Sequence, residues 1–145
     1  MPYALCFMPY ALCLMPHAFY ALFITKNNMP MILENLDVRK RSVDLAKNIR
    51  KLCKDNSYLK NDYGMKDQIQ RSATSIASNI AEWNDRQSDK EFIRYLIIAR
   101  GSTSELKTQL YIIEEDIPKD TFTELLKEII GIHKMLNSFI KTLNK

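Results

Sequence analysis

Glycine is nearly missing from this chain, with three in 145 residues. So little glycine cannot supply the turns of an all-β or loop-rich design. Metal-ligand patterns are missing too. Cys6, Cys13 and Cys53 form no Cys-x-x-Cys pair, and the first two lie inside a repeat. Neither a disulfide framework nor a metal site is expected from them, and Cys53 reads as a small buried apolar group. The two histidines are His17 and His133. No His, Cys or carboxylate stands three or four residues from His133, which reads as a packed or edge residue rather than a ligand. The chain has no Glu-x-x-His pair of the di-iron type, no glycine-rich phosphate loop, no Gly-x-Ser-x-Gly elbow and no Cys/His dyad. Neither enzyme activity nor a cofactor is expected.

Charge is also missing from the opening stretch. Met1 to Thr25 carries no charged residue, and MPYALCF at 1–7 returns almost unchanged at 8–14 and in degraded form from Met15. An apolar run of that length can span a bilayer. Against that reading, Pro2, Pro9 and Pro16 interrupt it with a seven-residue period, and interior prolines cost a helix its hydrogen bonds. No Lys or Arg precedes the run, so the positive region of a signal peptide is missing. A tandem period with a Met opening each unit fits translated repeat DNA upstream of a start at Met29 or Met31. A membrane or targeting segment and an ordered extra element are the other readings. The expected organisation is therefore a repeat extension over 1–28 and one domain over 29–145, cytoplasmic and without a membrane span.

The remainder has what a helical core needs. Hydrophobic residues make up 46% and charged residues 26% of the chain. The net charge of +4 is uneven: residues 37–71 carry ten Lys/Arg against five Asp/Glu, while 88–145 carry nine of each. Helical periodicity runs throughout. A first helix over Asp37–Lys54 puts Val38, Ser42, Leu45, Ile49 and Leu52 on one face and Lys40, Lys47, Arg50, Lys51 and Lys54 on the opposite one. The polar stretch DNSYLKNDYG then breaks the pattern, with Gly64 as the turn residue. A second helix over Met65–Glu82 carries the seam Met65, Ile69, Ala73, Ile76, Ile80 and Trp83, with Ser72, Ala73, Ser75 and Ala77 as close-packing positions. Ser88 and Glu91 form a capping box for a third helix over 88–115, lined by Phe92, Tyr95, Leu96, Ala99, Thr103, Leu106, Leu110 and Ile113. A fourth helix begins near Pro118, continues to the end and carries Phe122, Leu125, Leu126, Ile129, Ile132, Leu136, Phe139, Ile140 and Leu143. Four helices with short connections predict an all-α, antiparallel up-down-up-down four-helix bundle.

One stretch is specific. SIASNIAEWNDRQSDKEFIRYLIIARGSTSELKTQL, residues 75–110, resembles the signature of the four-helix proteins encoded in intervening sequences of bacterial 23S ribosomal RNA genes. The matching residues include Asn79, Glu82, Arg86, Ser88, Glu91, Phe92, Gly101, Ser102, Glu105 and Gln109. The likeness covers roughly 36–143. Ala77 stands where that family usually has Pro, and Trp83 where it usually has Gly. The resemblance implies a four-helix bundle that often assembles into a ring of five. It also implies kinship with the accessory protein of diversity-generating retroelements, which binds a reverse transcriptase and nucleic acid.

Two functions follow as expectations. The first is RNA binding by Lys40, Lys47, Arg50, Lys51 and Lys54, a cationic face able to track phosphates, with Arg86 beside Trp83 adding a cation and a stacking surface. The second is a homo-oligomeric scaffold for a protein partner such as a reverse transcriptase, using the extra apolar residues Ile97, Ile98, Tyr111 and Ile112. The signature residues are read as mainly structural. Asn79 is expected to bond across to the third helix, and Glu82 to pair with Arg86 or Arg100.

Overall fold

The structure, a computed structural model, describes residues 29–82 and 89–144. The chain divides into two units, Met1–Leu33 and Glu34–Lys145, and the second holds the hydrophobic core. The repeat extension, the turn with Trp83 and Arg86, and the Ser88 cap lie outside the described residues. Among the described residues, five α-helices occur in order: α1 Met29–Asp55, α2 Ser57–Asn61, α3 Tyr63–Ala81, α4 Asp89–Ile112 and α5 Lys119–Leu143, with a 3-10 turn at Glu114–Asp116. Among the described residues there is no strand.

The apolar stripes of the four long helices meet. Leu45 and Ile49 of α1, Ile69 and Ile76 of α3, Leu106 and Leu110 of α4, and Ile129 and Ile132 of α5 are all buried to 1% exposure or less. Side-chain bonds show how neighbours run. Ser72 donates to Gln109 Oε1 at 2.7 Å, and the Ser75 and Ser102 hydroxyls lie 2.8 Å apart, so α3 and α4 point in opposite directions. Arg100 donates to Asn137 at 3.1 Å, and Thr103 Oγ1 lies 2.7 Å from His133 Nδ1, which sets α4 against α5 in the same way. Small hydroxyl side chains therefore occupy the α3–α4 seam, each hydrogen-bonded across it or within its own helix.

Several boundaries differ from the sequence expectation. The α1 helix starts at Met29 rather than Asp37, with Pro30 in a first turn where a missing N–H costs nothing. The DNSYLKNDYG stretch is not simply a break. Asn56 accepts from Leu59 N at 3.0 Å and Asp62 from Met65 N at 2.9 Å, so each Asx side chain caps a new helix. The turn is made by these two caps, and Gly64 sits inside the first turn of α3 at ordinary negative φ. Asn56 Nδ2 also donates to the Asp116 carbonyl at 2.7 Å, tying the end of α1 to the approach of α5. The α4 helix stops at Ile112, short of the expected 115. Glu114, Glu115 and Asp116 would crowd negative charge onto its C-terminus, and Ile117 must be extended (φ −126°, ψ 154°) because proline follows it. The α3 helix runs unbroken through Ala77.

One glycine is explained by a close approach. At Gly131, in the middle of α5, an added Cβ would meet Arg41 Nη2 at 2.5 Å. The guanidinium lies across this bare backbone and forks onto Glu128, with Nε to Oε1 at 2.7 Å and Nη2 to Oε2 at 3.0 Å. That bidentate bond pushes the Arg41 pKa further up and joins α1 to α5 along their shared edge.

Candidate nucleic-acid interface

The α1 helix buries Val38, Ser42, Leu45, Ile49 and Leu52, and at 3.6 residues per turn this leaves Lys40, Lys47, Arg50, Lys51 and Lys54 outside. All five are exposed. From Lys40 to Lys54 the ridge extends about 21 Å at 1.5 Å per residue. Lys47 contacts Asp44 at 3.3 Å, with both side chains largely exposed, an ion pair that water screens heavily. Among the described residues, Lys40, Arg50, Lys51 and Lys54 have no carboxylate within salt-bridge distance.

The grooves on either side of α1 divide these cations. Between α1 and α3 runs a groove of about 410 Å³ lined by Val43, Ala46, Lys47, Arg50, Gln70, Thr74, Ala77 and Ser78. It holds two cations, three neutral polar side chains and no carboxylate. The larger groove between α1 and α5, about 750 Å³, is lined by Arg41 and Lys51 but also by Asp44, Asp55, Glu124 and Glu128. Lys51 therefore stands among acids, and the positive potential of the ridge belongs to its α3 side. Sequence periodicity placed Lys51 on the ridge and had no means of showing which neighbour it overlooks.

Arg86, the sixth expected contact, lies outside the described residues. The signature residues divide by burial. Phe92, Ser102 and Gln109 are buried, the last two in the hydroxyl seam with Ser75 and Ser72. Asn79 departs from expectation. Its amide donates back along α3 to the Ser75 carbonyl at 2.8 Å and the Ser75 hydroxyl at 3.2 Å. The link to α4 is made by Ser75 itself, whose shorter side chain fits the close approach. Glu82 is exposed and its expected partner Arg86 is among the undescribed residues, while Arg100 is bonded to Asn137 instead. Glu91, Gly101 and Glu105 are exposed on α4.

The outer face of α4 carries exposed apolar residues among polar ones. Ile97, Ile98, Tyr111 and Ile112 are 44%, 43%, 48% and 63% exposed. Between the two pairs stands Gly101, where an added Cβ would meet nothing within 4 Å. A helix-interior glycine costs about 1 kcal/mol against alanine, and among the described residues no contact requires it.

Sequence reading missed a second cationic groove. Between α4 and α5, about 530 Å³ is lined by Thr103, Ser104, Lys107, Thr108, Tyr111, Ile129, Ile130, His133 and Lys134. Burial, with Arg100 and Lys107 beside it, holds the His133 pKa below its ordinary value. The available signal was the spacing of Arg100, Lys107, His133 and Lys134, but it crosses two helices and becomes visible only when they pair. Cys53 is buried, and burial raises its thiol pKa, which leaves it protonated and unreactive. Among the described residues, no group of three or more His, Cys, Asp or Glu could hold a metal, and no helix is long and apolar enough to cross a membrane.

Comparison with known proteins points one way. A family model described as 23S rRNA-intervening sequence protein matches residues 34–138. Among solved structures, the chain is similar to a protein of unknown function of the S23 ribosomal protein family from Bacteroides thetaiotaomicron. The two share 32% identity and superpose with a TM-score of 0.67, over 74% of this chain and 98% of the other. No curated protein matches.

Proposed function

This chain belongs to the 23S rRNA-intervening sequence protein family, and from that premise we propose that it is a non-enzymatic, oligomeric bundle that binds RNA through the cations of α1. The observation that carries this reading is the exposed ridge of Lys47, Arg50 and Lys54, with Lys40 beyond it, flanked on the α3 side by a groove without a carboxylate. Such a surface recognises phosphates and reads no base sequence. Four or five neutralised phosphates give a salt slope of roughly −3 to −4.5 in log K against log salt. Fluorescence anisotropy with a labelled structured RNA is therefore expected to show affinity falling about a hundredfold between 50 and 200 mM salt. A slope shallower than about −1, or no binding at micromolar protein in low salt, rules the reading out.

The exposed apolar residues of α4 favour a second reading, a homo-oligomeric scaffold that holds a protein partner such as a reverse transcriptase, with five subunits by family analogy. Ile97, Ile98, Tyr111 and Ile112 are exposed, and Gly101 between them leaves the backbone open to close approach from outside. The two readings use different helices and are compatible in one assembly.

A further inference from the structure

The groove between α4 and α5 carries an inference beyond the α1 reading and independent of it. On α4, Arg100, Thr103, Ser104, Lys107 and Tyr111 recur at three- and four-residue steps and so share one flank. The facing flank of α5 presents Ile130, His133, Lys134 and Asn137. Lys127 and Lys141 stand one heptad to either side of Lys134, on the same side of α5. None of the residues lining the groove is acidic.

One hydrogen bond orients the imidazole. Thr103 Oγ1 lies 2.7 Å from the Arg100 carbonyl and 2.7 Å from His133 Nδ1. A hydroxyl has one proton. With that proton on the Arg100 carbonyl, His133 donates from Nδ1 to the threonine oxygen and carries its lone pair on Nε2. Among the described residues, no protein group bonds Nε2. Arg100 and Lys107 of α4 act on the ring, and Lys134 lines the same groove; the Arg41–Glu128 pair lies on the flank of α5 turned to α1. Three cations thus stand near a ring nitrogen that no described protein group bonds.

We propose that this groove is a binding site for a phosphate group, with Lys107 and Lys134 supplying the charge and His133 Nε2 sharing a proton with the bound oxygen. Arg100 already donates to Asn137 and acts at longer range. The Ser104 hydroxyl, held to the Arg100 carbonyl by a bond of only 3.4 Å, is free to turn toward the ligand. Ile129, Ile130 and Tyr111 form an apolar wall beside it, large enough for the sugar or base of a nucleotide. The phosphate can therefore arrive as a free anion or as part of a nucleic-acid backbone, and the chemistry of recognition is the same.

The test is a histidine-ring nitrogen NMR titration of the full chain, with His133→Asn identifying the His133 signal against that of His17. Inorganic phosphate, compared with chloride at equal ionic strength, is expected to raise the His133 titration midpoint by about one pH unit, since an opposite charge at contact favours the imidazolium. An oligouridylate forms the second arm. A response to both supports a site open to any phosphate, and a response to the oligonucleotide alone supports a backbone site. In Lys107→Gln and Lys134→Gln, both surface changes, the ligand-induced rise is expected to shrink. In Lys107→Gln the ligand-free midpoint should also move up, because a neighbouring cation has gone. If neither ligand shifts His133 beyond the chloride control, the groove is not a phosphate site.

Discussion

Changing Lys47, Arg50 and Lys54 together to glutamate is expected to weaken RNA binding by about two orders of magnitude near physiological salt. Each lost phosphate contact forfeits the release of a counterion, roughly a fourfold effect at 0.15 M for a single strand, and three together give about fiftyfold. Reversing rather than removing the charge adds repulsion. The three side chains are exposed, and exposed substitutions usually shift stability by no more than about 0.5 kcal/mol each, so the circular dichroism spectrum should keep its helix content and the melt should fall by no more than about 10 °C. Lys60 and Lys119 are also exposed but lie off the ridge. Reversing both provides the control: no phosphate contact is lost in this reading, so the loss is expected to stay well below the roughly fifteenfold that two lost contacts would give. Equal losses in the two variants would mean that net charge, and not the α1 face, attracts the RNA.

The second large effect concerns α4, where one helix carries a deep core residue and an unexplained glycine one and a half turns apart. Leu106 is fully buried, and Leu106→Ala is expected to cost about 2–5 kcal/mol through lost transfer energy and the cavity left behind. In a domain of this size that lowers the melting temperature by on the order of 10 °C. Gly101→Ala should act in the opposite direction. Nothing within 4 Å opposes the added methyl group, so the isolated bundle gains about 1 kcal/mol from reduced backbone entropy in the unfolded chain. If copies associate through this face, the same methyl group separates them. Ultracentrifugation should then show Gly101→Ala to be less associated although each subunit melts higher. A wild-type chain that is monomeric at tens of micromolar would remove the scaffold reading.

The core was legible because burial in a bundle follows helical period. Val38, Leu45 and Ile49, or Ile129, Ile132 and Leu136, are one stripe whether read in the sequence or in space. The exposed positions of Ile97, Ile98, Tyr111 and Ile112 followed from the same periodicity, because residues off the stripe have nowhere to be buried. Boundaries were less legible. Asn56 and Asp62 are capping residues by type, yet a polar run containing Gly64 reads equally well as a plain turn. Contacts between helices were out of reach. Nothing local to Gly131 announces that Arg41 lies across it, and Asn79 has the same capacity to bond forward to α4 as back to Ser75. The site suffered most from this limit. The residues of the α1 ridge could be read from spacing, but its division into a carboxylate-free side and an acidic side depends on α3 and α5 as neighbours. The His133 groove exists only because Thr103 and Lys107 come from another helix.

Lysine acetylation of the free and RNA-bound protein, quantified by mass spectrometry, reads the contact surface residue by residue. Binding along the α1–α3 side predicts slowed modification of Lys40, Lys47 and Lys54, a smaller effect at Lys51 among its acidic neighbours, and none at Lys60 or Lys119. Uniform protection across the chain, or protection confined to Lys107 and Lys134, would contradict an RNA interface on α1.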